Sequence, residues 1–144
     1  MIVIDTNIVS ELMKPQPHEG MRQWINAQAL ETLYLTSVSW FELLHGLDLM
    51  PEGRRQTGLR EVLHKLRDDF FAQRMLTFGE EAATLLSKQM TLAKRAGFSI
   101  SLGDGQIASI ASEHRFVVAT RDTAPFLAAG VKVINPWEVA HVWP

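Results

Sequence analysis

Five short apolar runs, separated by longer stretches of helical pattern, constrain this 144-residue chain more than any other feature. They are Ile2-Val3-Ile4, Leu33-Tyr34-Leu35-Thr36, Met75-Leu76-Thr77-Phe78, Phe116-Val117-Val118-Ala119-Thr120 and Val131-Lys132-Val133-Ile134. The first is β-branched without interruption, which suits a strand covered on both faces and therefore a parallel sheet. Between the runs, apolar periodicity and breakers predict helices over 7–13, 19–29, 39–50, 54–71, 80–95 and 104–114, with a short one near Pro125. Pro15 and Pro17 end the first, the Met50-Pro51-Glu52-Gly53 turn ends the third, and Gly97 is placed to cap the fifth. Over 54–71, Leu59, Val62, Leu63, Leu66 and Phe70 make one apolar stripe opposite Arg54, Arg55, Arg60, Lys65 and Arg67. Strands alternating with helices predict an α/β fold: a mainly parallel four- or five-stranded sheet with right-handed crossovers and helices on both sides.

Composition narrows the function classes. No repeat, linker or low-complexity tract interrupts the chain, so residues 1–144 are expected to form one domain. A net charge of -2 gives no global signature of a nucleic-acid binder, so any basic surface must be local. The absence of cysteine excludes disulfides, zinc-thiolate sites and thiol catalysis, and it fits a reducing compartment, so a cytoplasmic location is expected. No apolar stretch approaches the roughly 18 residues of a membrane span, and the opening residues carry no basic leader. Neither secretion nor a membrane partner is expected.

In a parallel sheet, ligands bind beyond the carboxyl ends of the strands. Asp5 follows the first strand, Glu42 falls in the first turn expected for the helix after the second, and Asp122 follows the fourth strand by two residues. Asp104 opens the helix leading into that fourth strand and joins the group only if the helix docks nearby. Each acid has a structural explanation. Ser39-x-x-Glu42 and Ser101-x-x-Asp104 match capping boxes, and Asp5 and Asp122 suit N-caps or helix-dipole partners. Together they are costly, because two carboxylates about 4 Å apart repel by about 4 kcal/mol at an effective dielectric of about 20. A hard divalent cation, Mg²⁺ or Mn²⁺, offsets that cost and keeps waters for chemistry on a phosphate.

Asp5-Thr6-Asn7 after Ile-Val-Ile, Glu42-Leu43-x-x-Gly46, Asp104-x-x-Ile107-Ala108 and Thr120-Arg121-Asp122 resemble, in order and spacing, the four sequence blocks of PIN domains. Pro15-Gln16-Pro17, Arg74-x-Leu76-x-Phe78 and the closing Asn135-Pro136-Trp137 resemble the branch of VapC-type toxins and FitB-like proteins. The resemblance spans nearly the whole chain. Its small departures, Ser109 where the family often has Ala and Gly103 before Asp104, remove no proposed ligand. It implies an endoribonuclease toxin of a toxin–antitoxin pair, hydrolysing single-stranded or looped RNA with metal-activated water. Asp5, Asp104 and Asp122 would then be direct or water-mediated ligands of Mg²⁺ or Mn²⁺, and Glu42 would position metal or water. Thr120, and Thr6 beside Asp5, would hydrogen-bond a ligand carboxylate or phosphate. The implied partners are a cognate VapB-type antitoxin and RNA, in a homodimer or toxin–antitoxin hetero-oligomer.

Two other classes compete. A Mg²⁺-dependent phosphohydrolase or phosphorelay receiver also places Asp after a parallel strand, but Asp5-Thr6-Asn7 lacks the second Asp of the Asp-x-Asp motif and no lysine follows a late strand. A non-catalytic module binding a DNA-binding regulator would not need four acids. The basic face over 54–67 reads as a solvated surface or an RNA track. His18, His45, His64, His114 and His141 show no pair at metal-ligand spacing, and Trp24, Trp40, Trp137 and Trp143 are expected in cores and interfaces.

Overall fold

Val3 and Ile4 point to opposite sides of a strand, as neighbours in extended backbone must, and both are fully buried. Val3 enters a cluster with Ile107, Ala108, Val118 and Phe126, and Ile4 enters another with Ile8, Met21, Leu35 and Phe71. A strand with two greasy faces needs a layer on each side, and the computed structural model, which describes residues 1–139, supplies both. Five strands form one wholly parallel sheet: β1 (Ile2–Ile4), β2 (Leu33–Thr36), β3 (Met75–Leu76), β4 (Val117–Ala119) and β5 (Val133–Ile134), ordered β3-β2-β1-β4-β5. The helices are α1 (Thr6–Leu12), α2 (Glu19–Asn26), α3 (Ser37–Asp48), α4 (Arg54–Lys65), α5 (Glu80–Arg95), α6 (Leu102–His114) and α7 (Ala124–Ala128). This is the expected α/β architecture. Among the described residues no helix is long and apolar enough to cross a membrane. His141 and Trp143 lie outside the described residues.

The order places β1 centrally, with the chain winding outward first to β3 and then, on the other side, to β5. The direction reverses between β1 and β4, so their carboxyl ends open the crevice where such sheets bind ligands. In the β1–β4 register Ile4 pairs with Ala119, which sets Asp5 beside Thr120.

Besides a second helix that ends at Asn26 rather than at 29 and a third strand that ends at Leu76 rather than Phe78, three local outcomes differ from the periodicity. The stripe over 54–71 does not run as one α-helix: after Lys65 the chain widens into a π-turn over Leu66–Phe70, closed by Phe71 N–H donating to Leu66 O at 3.0 Å. The extra residue in that turn re-aims Phe71 into the core, while Phe70 packs edge-on against it at 4.9 Å. Arg74 ties the segment to the sheet, donating to Leu33 O at 2.9 Å and to Phe70 O. The second difference is in α3, which starts at Ser37 because Thr36, not Ser39, caps it; Thr36 Oγ1 accepts from Ser39 N at 3.0 Å. The third is α6, which opens at Leu102, two residues earlier than expected, behind its Ser101 cap. The Gly97 expectation holds in a specific form: at φ 84° it follows the last cap residue, with Gly97 N–H on Lys94 O and Phe98 N–H on Ala93 O, a Schellman closure.

Helix α6 packs on α5 through Gly105, where an added Cβ would stand 2.7 Å from Leu86 Cδ1 and 3.5 Å from Met90 Sδ. Gly105→Val is expected to lower unfolding free energy by about 1–3 kcal/mol, through overpacking. Gly105→Ala is expected to lose less, since helix propensity recovers about 1 kcal/mol. Urea denaturation of the two variants checks the order; a valine variant as stable as wild type would mean the helices separate without cost.

Candidate active site

Asp5 is the last residue before α1 and its N-cap, and only 5% of its surface is accessible. Its backbone N–H donates to Ala119 O at 3.0 Å, continuing the β1–β4 ladder past the strand. One carboxylate oxygen accepts from Thr6 N at 2.7 Å; the other accepts from Thr120 Oγ1 at 2.7 Å and Asn7 Nδ2 at 3.3 Å. Thr120 in turn accepts at Oγ1 from Asp122 N at 3.1 Å and from Asn7 Nδ2 at 3.2 Å. The hydroxyl therefore joins the ends of β1 and β4 and fixes the rotamer of Asp5.

Because α3 begins at Ser37, Glu42 stands in its second turn, and the capping-box explanation for it falls away. Its carboxylate instead accepts from Thr6 Oγ1 at 3.3 Å. It also faces the opening of α6: a Cβ on Gly103 would lie 3.6 Å from Glu42 Oε1. Asp104 stands in the first turn of α6, its N–H donating to the Ser101 cap at 3.2 Å. The α6 N-terminus thus docks against α3 and delivers Asp104 to the same place. Asp5, Glu42, Asp104 and Asp122 all line one cleft of about 430 Å³, with Thr6, Asn7, Ser10, Glu11, Lys14, Arg121 and Trp137.

The electrostatics of Asp5 and Glu42 are set first by burial and then by the acids beside them. Burial pushes the Asp5 carboxyl up to about 6, the hydrogen bonds from Thr120 and Thr6 oppose that rise, and the charges of Asp104 and Glu42 add to it. Glu42 is exposed as a residue, yet partial burial of its carboxyl raises it, the Thr6 bond pulls it down, and Asp104 pushes it up again. A divalent cation relieves this repulsion, and the donors are hard oxygens that suit Mg²⁺ or Mn²⁺. Among the described residues no group of three or more His, Cys, Asp or Glu side chains is arranged so as to hold a metal ion by itself. Mg²⁺ does not need one, because it keeps several waters and commonly takes one or two carboxylates plus a substrate phosphate. The residues fit such an ion.

Several cleft residues escaped the reading of the sequence. Asn7, Ser10, Glu11 and Lys14 share one face of α1 and its exit, and their three- and four-residue spacing against the apolar Ile8, Val9 and Leu12 carried the signal. Glu11 is covered by Lys14, which donates to it at 2.7 Å, and it accepts from His18 N at 2.8 Å, bracing the turn through Pro15 and Pro17. The Lys14 hydrogen bond, chiefly, lowers the Glu11 carboxyl below its ordinary range. Arg121 and Trp137 meet only in the fold, so no local spacing announces them.

The basic face over 54–67 divides. Arg60 pairs with Asp48 at 2.7 Å, and Arg67 pairs with Asp68 at 2.8 Å while lying over Trp40 at 5.1 Å. Arg54 and Arg55 line a second groove of about 590 Å³, walled by Met13, Leu43, Leu47 and Leu59, which meets the acidic cleft at Thr6, Ser10, Lys14 and Glu42. His18 caps α2 through Nδ1, His45 stacks on Phe41, and His64 lies edge-on to Trp40. Among the described histidines none lines the acidic cleft.

Removing the Thr120 hydroxyl isolates its contribution. Thr120→Val deletes the main bond holding Asp5 down, so the Asp5 carboxyl is expected to titrate above about 6 in metal-free protein, with a stability loss of about 1–3 kcal/mol. Thr120→Ser is expected to restore both. Carbon-detected NMR titration of Asp5 decides the point; unchanged titration in the valine variant would break the link.

The PIN domain family model matches residues 2–132. A VapC ribonuclease, Y4jK, of Sinorhizobium fredii is 46% identical, covering 97% of this chain and 100% of that protein. The toxin FitB of Neisseria gonorrhoeae is 40% identical, covering 95% and 99%. A solved structure of FitAB bound to an IR36 DNA fragment superposes with a TM-score of 0.92 at 38% identity, covering 99% of this chain and 100% of that one.

Proposed function

The chain belongs to the PIN-domain family, and on that premise we propose that it is a metal-dependent endoribonuclease, the toxin of a toxin–antitoxin pair, working as a single domain. The observation that carries the reading is the buried Asp5 carboxyl, held by Thr120 between two strand ends and sharing one open cleft with Glu42 and Asp104. A scaffold kept only for binding has no use for a carboxylate whose burial raises it to about 6, because an uncompensated buried charge destabilises the fold. Such perturbed acids cluster where chemistry is done.

Asp5, Asp104 and Asp122 supply oxygen ligands, directly or through water, for Mg²⁺ or Mn²⁺. When bound, the ion neutralises charge developing on a phosphate and lowers the pKa of attacking water. Thr120 and Thr6 hold Asp5 in one orientation, and Glu42, with its raised carboxyl, orients the water and takes up its proton. The substrate is RNA, and the bond broken is a phosphodiester. The apolar groove beside the cleft, entered past Arg54 and Arg55, receives a VapB-type antitoxin; its junction with the acids at Glu42 and Lys14 lets an occupant reach the cleft. Assembly as a homodimer or hetero-oligomer in the cytoplasm accords with this role, and the similarity to FitB in its DNA-bound FitAB complex supports a paired partner.

The test is cleavage of a panel of folded and single-stranded RNAs by the purified chain, freed of any antitoxin, with Mg²⁺ or Mn²⁺, with EDTA, and with Asp104→Asn prepared in parallel. Cleavage that needs metal and vanishes in the folded variant is expected. Equal cleavage by both proteins, or none by wild type with metal, overturns the reading.

A further inference from the structure

Two cations reach the acidic cleft, and they are differently engaged. Lys14 is already neutralised, donating to Glu11 at 2.7 Å. Arg121 pairs with no carboxylate among the described residues, although Asp5, Glu11, Glu42, Asp104 and Asp122 line the same cleft; its charge adds a small part to the lowering of the Glu11 carboxyl. Its guanidinium rests 5.4 Å over the ring of Trp137. Both ends of that arrangement are anchored. Arg121 N–H donates to Asn7 Oδ1 at 3.3 Å, the same Asn7 whose amide nitrogen donates to Asp5 and Thr120. Trp137 is half-buried against the core, and its backbone N–H donates to Asn135 Oδ1 at 3.1 Å.

An aromatic face holds a guanidinium in place without neutralising it, and it leaves the donor edges free. Placed between Thr120 and Asp122, such a cation stands at the mouth of a site otherwise lined with negative charge, which repels a polyanionic substrate. Arginine on an aromatic support is suited to bidentate recognition of phosphate.

We propose that Arg121, seated on Trp137, binds the RNA backbone phosphate adjoining the scissile one and so sets which bond lies over the acids. The proposal rests on the ribonuclease reading. Arg121 is the substrate-binding residue and Trp137 the positioning residue behind it. The basic face over 54–67, by contrast, has lost Arg60 and Arg67 to ion pairs with acids of its own surface.

The experiment measures kcat and KM for cleavage of a labelled single-stranded RNA from about 50 to 200 mM salt, using the full chain with Mg²⁺. Arg121→Gln is expected to raise KM roughly 10- to 100-fold with little change in kcat, the effect of losing a charge-assisted contact. The slope of log(kcat/KM) against log salt is expected to become shallower by about 0.7, one single-strand phosphate contact. Arg121→Lys should restore the slope but not the full affinity, and Trp137→Leu should raise KM while leaving the slope intact. If wild type cleaves and Arg121→Gln keeps both KM and slope, Arg121 is only structural and the proposal fails while the ribonuclease reading stands. If wild type neither binds nor cleaves RNA, both fail together. Thermal unfolding of each variant separates a folding defect from a binding one, and an unchanged melting point with raised KM is the supporting outcome.

Discussion

Asp5→Asn is expected to abolish RNA cleavage, by about 10³-fold or more, and at neutral pH to leave the protein as stable as wild type or more so. A thousandfold loss corresponds to about 4 kcal/mol of transition-state stabilisation, reasonable for a residue proposed to ligate the ion and held by the hydroxyl joining β1 to β4. The stability half follows from linkage. The folded-state carboxyl is raised from 3.8 to about 6, so the folded protein holds this proton more tightly than the unfolded chain does. The resulting stabilisation is fully present below about pH 4 and is lost as pH climbs through about 6. At pH 7 metal-free wild type carries an ionised buried carboxylate at a cost on the order of 3 kcal/mol. Asparagine has the same shape, and its oxygen still accepts from Thr6 N; its amide nitrogen, however, meets the Asn7 amide that donates to this position in wild type, which offsets part of the gain. Urea denaturation at about pH 7.5 and pH 4.5 is the check: the variant should gain on wild type at the higher pH and lose the advantage at the lower. A variant less stable at both would mean that Asp5 is held for the fold rather than for chemistry.

That trade-off explains why the sequence spoke clearly in some places and not in others. Ile2–Ile4 is legible because its residues alternate between two hydrophobic layers, Ile2 and Ile4 on one side and Val3 on the other, so an unbroken apolar run reveals a doubly covered strand. The acids after β1 and β4 are legible because parallel topology fixes where strand ends point. Glu42 was harder. Ser39-x-x-Glu42 imitates a capping box, and only the true cap, Thr36, shows that Glu42 stands a turn further along, free to face Thr6 and α6. Asp104 depends on how closely α6 packs, which is settled by small residues: Gly105 against Leu86, and Gly103 against Glu42. A glycine in a sequence does not say what it approaches. The π-turn over Leu66–Phe70 was equally silent, since two adjacent phenylalanines fit a helical stripe until both rings must pack. Arg121 and Trp137 are 16 positions apart and meet only through tertiary structure.

Metal addition should stabilise the protein strongly at neutral pH and weakly in acid. An ion that binds only the folded state raises stability by about 2.7 kcal/mol at a hundredfold excess over its dissociation constant, which for a chain of this size is a rise of several degrees in melting temperature. At about pH 7.5 Asp5 is ionised and the cation meets charges that repel one another, so it removes the cost that burial imposes. At about pH 5 the Asp5 carboxyl, at about 6 in metal-free protein, is mostly protonated, and the ion must expel that proton before it can bind. Affinity is therefore expected to fall close to tenfold per pH unit below about 6, with release of up to one proton per ion taken up. Calorimetric titration of Mg²⁺ in two buffers of different ionisation enthalpy counts the protons, and thermal unfolding with and without Mg²⁺ at both pH values reads the stability. Asp5→Asn should lose most of the neutral-pH shift, because both the charge and the repulsion are gone. An equal shift in wild type and variant, or no pH dependence between about 5 and 7.5, would place the ion elsewhere on the surface. The raised Asp5 carboxyl, whose first cause is burial with the Asp104 and Glu42 charges adding to it, would then reflect the packing of the fold rather than an ion site.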